Sequence, residues 1–320
     1  MIRRMSDFRV EPDQIDLPRG AFCKARRHYV RWRGRTVLGL SANPFRAYLF
    51  PVYTPAGLAL TEEAPIDHPH HQSVWVGADH VDCLLPYGEG QIEVANYNFY
   101  VQETFQGRAA GRMIVRAIDW DELAERHLRV VQDIEWRGPA EWGAPEGRVV
   151  AYESRAIDVQ PGDLAHVIDV RSRLRPGACD LQIGPTRHAY FGIRLVEPLR
   201  PDGGAELVDS EGRRGLAAID GSGGDWIHIG GQLTRDHQAG LACVPYPHRG
   251  GATWGVHPWG TIDVNPLRHE PCVLTVGQHA EYGIRLVAHD GPLAATQVTE
   301  FHRDFCAAPV GDWNDLPEPL

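Results

Sequence analysis

The sequence predicts an all-β protein built as a large antiparallel β-sandwich, and three observations carry that reading. Short apolar segments alternating with polar residues recur along all 320 residues. No stretch keeps a helical period for long, and glycine and proline punctuate the gaps. Roughly fifteen or more strands of this kind are too many for one open sheet, so two extended sheets packed face to face are expected. A hydrophobic content of 43% is enough for a substantial core. With neither a fixed-period repeat nor a linker in view, we expect a single domain over 1–320, residues 1–66 forming outer strands and a lead-in loop.

The elements follow in order. Between Phe8 and about Phe50 the pattern is β-like: Tyr29 to Arg33 alternates faces, Gly34 marks a turn, and Thr36 to Leu40 begins again. Pro44, Pro51, Pro55 and Pro65 break up the next stretch, an extended segment with an irregular approach to a histidine-rich loop. Ser73 to Ala78 reads as a buried strand and Ile92 to Phe105 as another. From Arg112 to Leu174 the signal is a four-stranded meander, with one short helix-like segment at Asp121 to Arg126. Further strands begin at Phe191, Gly240, Cys272 and Glu281, and the glycine-rich insert 203–231 reads as loop with a single turn of regular structure at most.

Charge and cysteine usage narrow the function classes. With 32 basic and 42 acidic residues and no Lys/Arg cluster, nucleic acid and anionic membranes are not expected partners. A small carbohydrate ligand fits better, and a homodimer is left open. Six cysteines lie far apart without a C-x-x-C pair, so neither a zinc ribbon nor a disulfide framework is legible, and free thiols in a reducing cytoplasm are expected. The first residues have no apolar core of a secretion signal, and no apolar run approaches the roughly 18 residues a spanning helix needs.

Three stretches carry residues suited to chemistry. The first is Asp67-His68-Pro69-His70-His71-Gln72-Ser73-Val74-Trp75. In an extended backbone His68 and His70 would fall on one side, with Asp67 placed to orient a ring. Metal binding by His68 and His70, metal-free acid–base work and a purely structural polar loop stand level at this point. The acids available by composition to partner the histidines are Glu89, Glu93, Glu153, Glu281 and Asp263. The second stretch holds Arg187, His188 and Arg194, which suit a hydroxyl-rich or anionic ligand, although Arg194 alone reads slightly more as an ordinary exposed strand residue. The third runs from Tyr246 to Pro266 with His248, Trp254, His257, Trp259 and Asn265. Tryptophans flanked by Gly, His and Asn suit a sugar-stacking wall, and core packing explains them about equally well. No G-x-S-x-G elbow, P-loop, dinucleotide fingerprint or H-E-x-x-H is present.

These stretches together resemble a known family, the soluble bacterial proteins labelled PmoA-like and grouped with the galactose mutarotase-like supersandwich. Asp67 to Trp75 is similar to its D-H-P-H-H-x-S-x-W signature. Glu153 and Arg155 match its E-x-R pair, and Thr186-Arg187-His188 with Phe191 to Arg194 resembles T-K-H-G-x-F-G-x-R. Asp209 to Gly212, Trp226 and Val264-Asn265-Pro266 also fit, and the resemblance runs from about Asp67 to the end. Gln72, Arg187 and Ala189 stand where the family has Arg or Lys, Lys and Gly, departures that bear on substrate shape more than on fold. The resemblance implies a supersandwich, a carbohydrate-sized cleft on one sheet and a place in carbohydrate catabolism. It does not imply a membrane copper monooxygenase, which needs spanning segments.

The expected site therefore joins His68, His70 and His71 to Arg187, His188, Trp254 and Asn265, with Glu281 as a candidate base and Trp75, Arg194 and His257 as ligand contacts. The expected chemistry is elimination or hydrolysis of a keto-glycoside, either metal-assisted or driven by His acid–base catalysis. Aldose 1-epimerase-like activity and non-catalytic sugar binding are the alternatives.

Overall fold

The computed structural model describes residues 6–13, 25–247 and 251–307. Its first strands are β1 (Phe8–Pro12), β2 (Arg26–Trp32), β3 (Arg35–Ala42), β4 (Ala47–Val52) and β5 (Val74–Ala78). There follow β6 (Val81–Tyr87), β7 (Gln91–Asn98) and β8 (Ala109–Ala110), then the meander β9 (Arg112–Ala124), β10 (His127–Arg137), β11 (Val149–Gln160) and β12 (Ala165–Pro176). Next come β13 (Asp180–Ile183), β14 (Ala189–Arg194), β15 (Glu206–Asp209), helix α1 (Leu216–Ile219), β16 (Ile227–Thr234) and β17 (His237–Pro245). The chain closes with β18 (Thr253–Val256), β19 (Thr261–Asn265), β20 (Cys272–Leu274), β21 (Ala280–Asp290) and helix α2 (Ala295–Cys306).

The predicted sandwich is present. One eight-stranded sheet runs β1-β2-β3-β4-β5-β14-β19-β18, and the other runs β15-β16-β17-β21-β12-β11-β10-β9. Every pair within them is antiparallel. A smaller five-stranded sheet, β20-β13-β6-β7-β8, which the sequence reading does not contain, joins the same core through Val81, Cys83, Leu181 and Ile183. Strand β10 shows why the meander was legible: Leu128, Val130, Ile134 and Trp136 are buried at every second position. One cluster of buried apolar residues, from Phe8 through Val130 and Ile193 to Ala288, draws on both large sheets.

A polar tie crosses this core. Arg155 donates from Nε and Nη2 to the two oxygens of Glu153 (2.8 and 2.9 Å) and from Nη1 to Ala47 O of the first sheet (3.0 Å). Trp136 Nε1 and Ser172 Oγ also donate to Glu153, each at 2.8 Å. The carboxylate is thus fully engaged, as a charge withdrawn from water must be.

Three local expectations are corrected. Asp121 to Arg126 is not helical: residues 121–124 finish β9 and residues 125 and 126 turn into β10, because Leu128 pairs with Glu122 across a tight hairpin. The insert 203–231 contains β15 and the start of β16, whose Leu207, Ile227 and Ile229 are core residues. Helix α2 is absent from the sequence reading although Val298, Phe301 and Phe305 keep the i, i+3, i+7 spacing of a helix face. It covers the outer face of the second sheet against Trp226, Ala242, Val244 and Val287. No helix among the described residues is long and apolar enough to cross a membrane.

Candidate functional site

The histidines sit on the loop between β4 and β5, at the outer face of the first sheet. Strand alternation sets that face: Val74 and Val76 enter the core, whereas Trp75 joins Tyr48 and Tyr100 in a separate buried cluster. Two consecutive turns build the loop. His68 N donates to Pro65 O (3.1 Å), His71 N donates to His68 O (2.9 Å), and Ala64 N closes the base on His71 O (2.9 Å). The expected extended backbone with His68 and His70 side by side is therefore corrected. The turns stack His68 on His71 at 4.7 Å and 4°, and His70 meets the two rings edge-on at 5.7 and 4.5 Å.

This stacking belongs to a longer column. His257 stacks on Trp259 (4.7 Å), Trp259 on His68 (4.7 Å), His68 on His71, and His71 on Trp75 (5.1 Å). Trp75 closes the column over Gly192, where a Cβ would stand 2.1 Å from its Cζ2, so glycine is required there. Both nitrogens of His71 and Nδ1 of His68 are engaged. His68 Nδ1 bonds Asp67 Oδ2 (2.9 Å), His71 Nε2 bonds Tyr100 Oη (3.1 Å), and His71 Nδ1 bonds Thr261 Oγ1 (3.1 Å). Parallel rings do not aim their nitrogens at one point, and among the described residues no group of three His, Cys, Asp or Glu side chains forms a metal-holding set. His70 alone has no hydrogen-bond partner for its ring among those residues.

A second imidazole is held from the other side. His188 Nδ1 donates to Asp79 Oδ2 (2.7 Å), and Arg187 Nε donates to His188 Nε2 (3.2 Å), which fixes the proton on Nδ1. Asp79, at 1% exposure, also binds His80 Nδ1 (2.8 Å) and the Thr186 hydroxyl. Asn265 supports this loop from behind: its Nδ2 donates to Thr186 O (2.7 Å) and its Oδ1 accepts from Leu267 N (2.8 Å). Tyr100 links the two halves, stacking on His188 at 4.7 Å and meeting His70 at 5.3 Å. Asn98 puts it there by ending β7, its Oδ1 accepting from Tyr100 N (3.0 Å) and Val101 N (2.9 Å).

The charges follow from these partners. Burial alone would raise the Asp67 carboxyl, but hydrogen bonds from His68 and from Arg194 Nη2 (2.8 and 2.9 Å) hold it well below the usual range. Asp79 is likewise lowered against burial by His188, Thr186 and His80. Burial lowers His70 to about 4, helped by the positive charge of Arg46. Burial, then the neighbouring histidines, lower His71 further still. Burial, followed by the charge of Asp263, raises the Tyr100 hydroxyl. At neutral pH His70, His71 and Tyr100 are therefore uncharged, beside the paired carboxylates of Asp67 and Asp79.

The structure brings His68, His70, His71, Arg187, His188, Trp75, Arg194 and His257 to this face, and it corrects several roles. Trp254 is 0% exposed and packs in the inter-sheet core, so it is not a stacking wall. Trp259 takes its place beside the histidines, but its faces are covered by His257 and His68. Asn265 is buried behind the site. Arg194 is not an exposed strand residue: at 0% exposure it clamps Asp67 and reaches Glu62 at 3.6 Å. Glu281 lies on the second sheet, bound by Arg173 Nε (2.9 Å), and is not delivered to the histidines. Glu89 and Glu93 are exposed at the β6–β7 hairpin, and Glu153 is the inter-sheet tie. His248 lies outside the described residues. Sequence reasoning missed Asp79, Tyr100 and Thr261. The one available signal was the Asn98-x-Tyr100 spacing at the end of a strand.

No curated protein matches the sequence. Among solved structures, a protein described as a kojibiose phosphorylase from the human microbiome aligns at a TM-score of 0.31 and 7% identity, over 72% of this chain and 29% of its own. A polysaccharide lyase aligns at a TM-score of 0.32 and 10% identity, over 90% of this chain and 33% of its own. The chain thus spans about a third of the length of each. The model of a family described as "Family of unknown function (DUF6807)" matches residues 30–303, and the chain belongs to that family.

Proposed function

We propose that this protein binds a sugar or an oxidised sugar derivative and moves a proton on it, with elimination or hydrolysis of a keto-glycoside as the reaction. The observation that carries the reading is the Asp79–His188–Arg187 arrangement. A buried carboxylate fixes the His188 tautomer so that Nε2 bears the lone pair, and a guanidinium stands next to it. In this reading His188 Nε2 takes the acidic proton beside the ketone, and Arg187 leaves His188 to pair with the enolate oxygen. The carbon–oxygen bond to the leaving group then breaks as the double bond forms, and the departing oxygen takes the proton back from His188 Nε2 and leaves as the alcohol. A positioned base contributes about 10²- to 10⁴-fold and an enolate partner about 10²- to 10³-fold. His70, whose ring has no hydrogen-bond partner among the described residues, is placed to hydrogen-bond a ligand hydroxyl. Five free cysteines among the described residues fit the reducing cytoplasm we assign to it.

A divalent ion on His68 and His70 is the weaker form of the proposal, since these two rings meet edge-on at 5.7 Å and no third ligand joins them among the described residues. The test is to incubate the protein with methyl 3-keto-glucoside and with glucose anomers, each with and without chelator. Chelator-resistant release of methanol, abolished in His188→Ala, is the expected result. Chelator-resistant anomer interconversion alone would replace elimination by mutarotation, and binding without turnover would make the protein a sugar-binding module. Failure to bind or convert either compound overturns the reading.

A further inference from the structure

Asp263 is the carboxylate of the site that the chemistry above leaves unused. It lies in β19 with its side chain on the site face. Pairing across the sheet places it in the row Tyr48, Trp75, Gly192, Asp263, Gly255. Its side chain is 5% exposed, yet no hydrogen-bond donor among the described residues reaches it, and His257 Nε2 stands at 3.5 Å. The neighbouring carboxylates are saturated by comparison. Asp67 has His68 and Arg194, Asp79 has His80, Thr186 and His188, and Glu63 has Arg27 (2.9 and 3.0 Å) and the Tyr48 hydroxyl. Its cross-strand neighbours are glycines. Trp75 roofs Gly192, and Asp263 itself leans over Gly255, where a Cβ would stand 3.2 Å from Oδ2.

A carboxylate withdrawn from water without donors is unfavourable in the free protein, and such a group marks a place where a partner is brought from outside. We propose that Asp263 is a ligand-anchoring residue, accepting hydrogen bonds from hydroxyl groups of a sugar bound over His70 and beside His257. The inference rests on the sugar reading above and adds the residue that recognises the polyol. Hydroxyl donors suit it better than a cation, because buried Arg46 already places a guanidinium charge on this face with no carboxylate partner among the described residues, whereas Arg194 is paired with Asp67. Neutral hydroxyls satisfy the carboxylate without adding a second charge.

The test is Asp263→Asn, nearly identical in shape, with Asp263→Ala as a second variant. Affinity for D-glucose and for methyl 3-keto-glucoside is measured by calorimetry, and thermal stability by melting. Both variants should bind the sugars about 10- to 100-fold more weakly, the loss of one or two charged hydrogen bonds. Asp263→Asn should melt at the wild-type temperature or above it. Wild-type sugar affinity in both variants overturns the inference and leaves the proposed function standing. So does a clearly lower melting temperature for Asp263→Asn, which would show a carboxylate with a structural partner. Absence of sugar binding by the wild type removes the proposed function, and this inference with it.

Discussion

Acidification should unfold this protein well above the pH at which ordinary carboxylates protonate. Burial lowers His70, His166 and His228 each to about 4 from an ordinary 6.5. His71 and His289 shift the same way, again mainly by burial. A histidine whose folded value is depressed is neutral in the native state and protonated in the unfolded one between those two pH values. Stability is then fully present above about pH 6.5, is lost as pH falls, and stops falling from these groups below about pH 4. Each histidine contributes about 1.4 kcal/mol per pH unit in that window, so the three at about 4 remove on the order of 6 kcal/mol between pH 6.5 and 5. That is comparable to the whole stability of a typical domain. Asp133 and Asp169, whose carboxyls burial raises, act in the opposite sense, while His71 and His289 add to the loss. Asp67 and Asp158 are held low by their partners and do not enter the window. Urea denaturation at half-unit steps from pH 7.5 to 5 measures the slope, and His166→Asn, which removes one of the five lowered histidines, should flatten it by about a fifth if the variant folds. A stability that is level or rising from pH 7 to 5 would refute the reasoning.

Three further outcomes follow from particular contacts. Trp254→Ala should destabilise the fold by about 3–5 kcal/mol, because the ring is fully enclosed, while the folded fraction binds ligand as the wild type does; a selective loss of binding at unchanged stability would restore the stacking-wall role. Gly192→Ala should lower the melting temperature and alter tryptophan fluorescence, since its Cβ would overlap Trp75 at 2.1 Å and disturb the ring column from below; an unaltered spectrum would show that the ring moves freely. Asp79→Asn should lower turnover of methyl 3-keto-glucoside by about 10²-fold or more with little change in KM, because the amide no longer enforces the His188 tautomer; wild-type turnover would remove His188 as the base.

Strands were legible wherever one face of a segment meets the core, since burial then writes a period of two into the residues, as in Leu128 to Trp136. Helix α2 left a thin signal, because a helix that seals one patch of sheet needs only a narrow stripe, here Val298, Phe301 and Phe305 at i, i+3, i+7. The histidine loop announced itself by composition, but its geometry did not, because two proline-bounded turns replaced the extended backbone on which the His-x-His argument depends. The partners were harder still. Asp79, Tyr100 and Thr261 each look ordinary along the chain, Asp263 is one of five candidate acids there, and they meet only because β5, β14 and β19 lie side by side while Asn98 turns the chain back across them. Sequence reasoning can propose that histidines need an acid, and only strand order can say which one. That is why Glu281, as plausible by type as Asp79, belongs to a different sheet, and why Trp254 and Trp259, five residues apart, face the core and the site respectively.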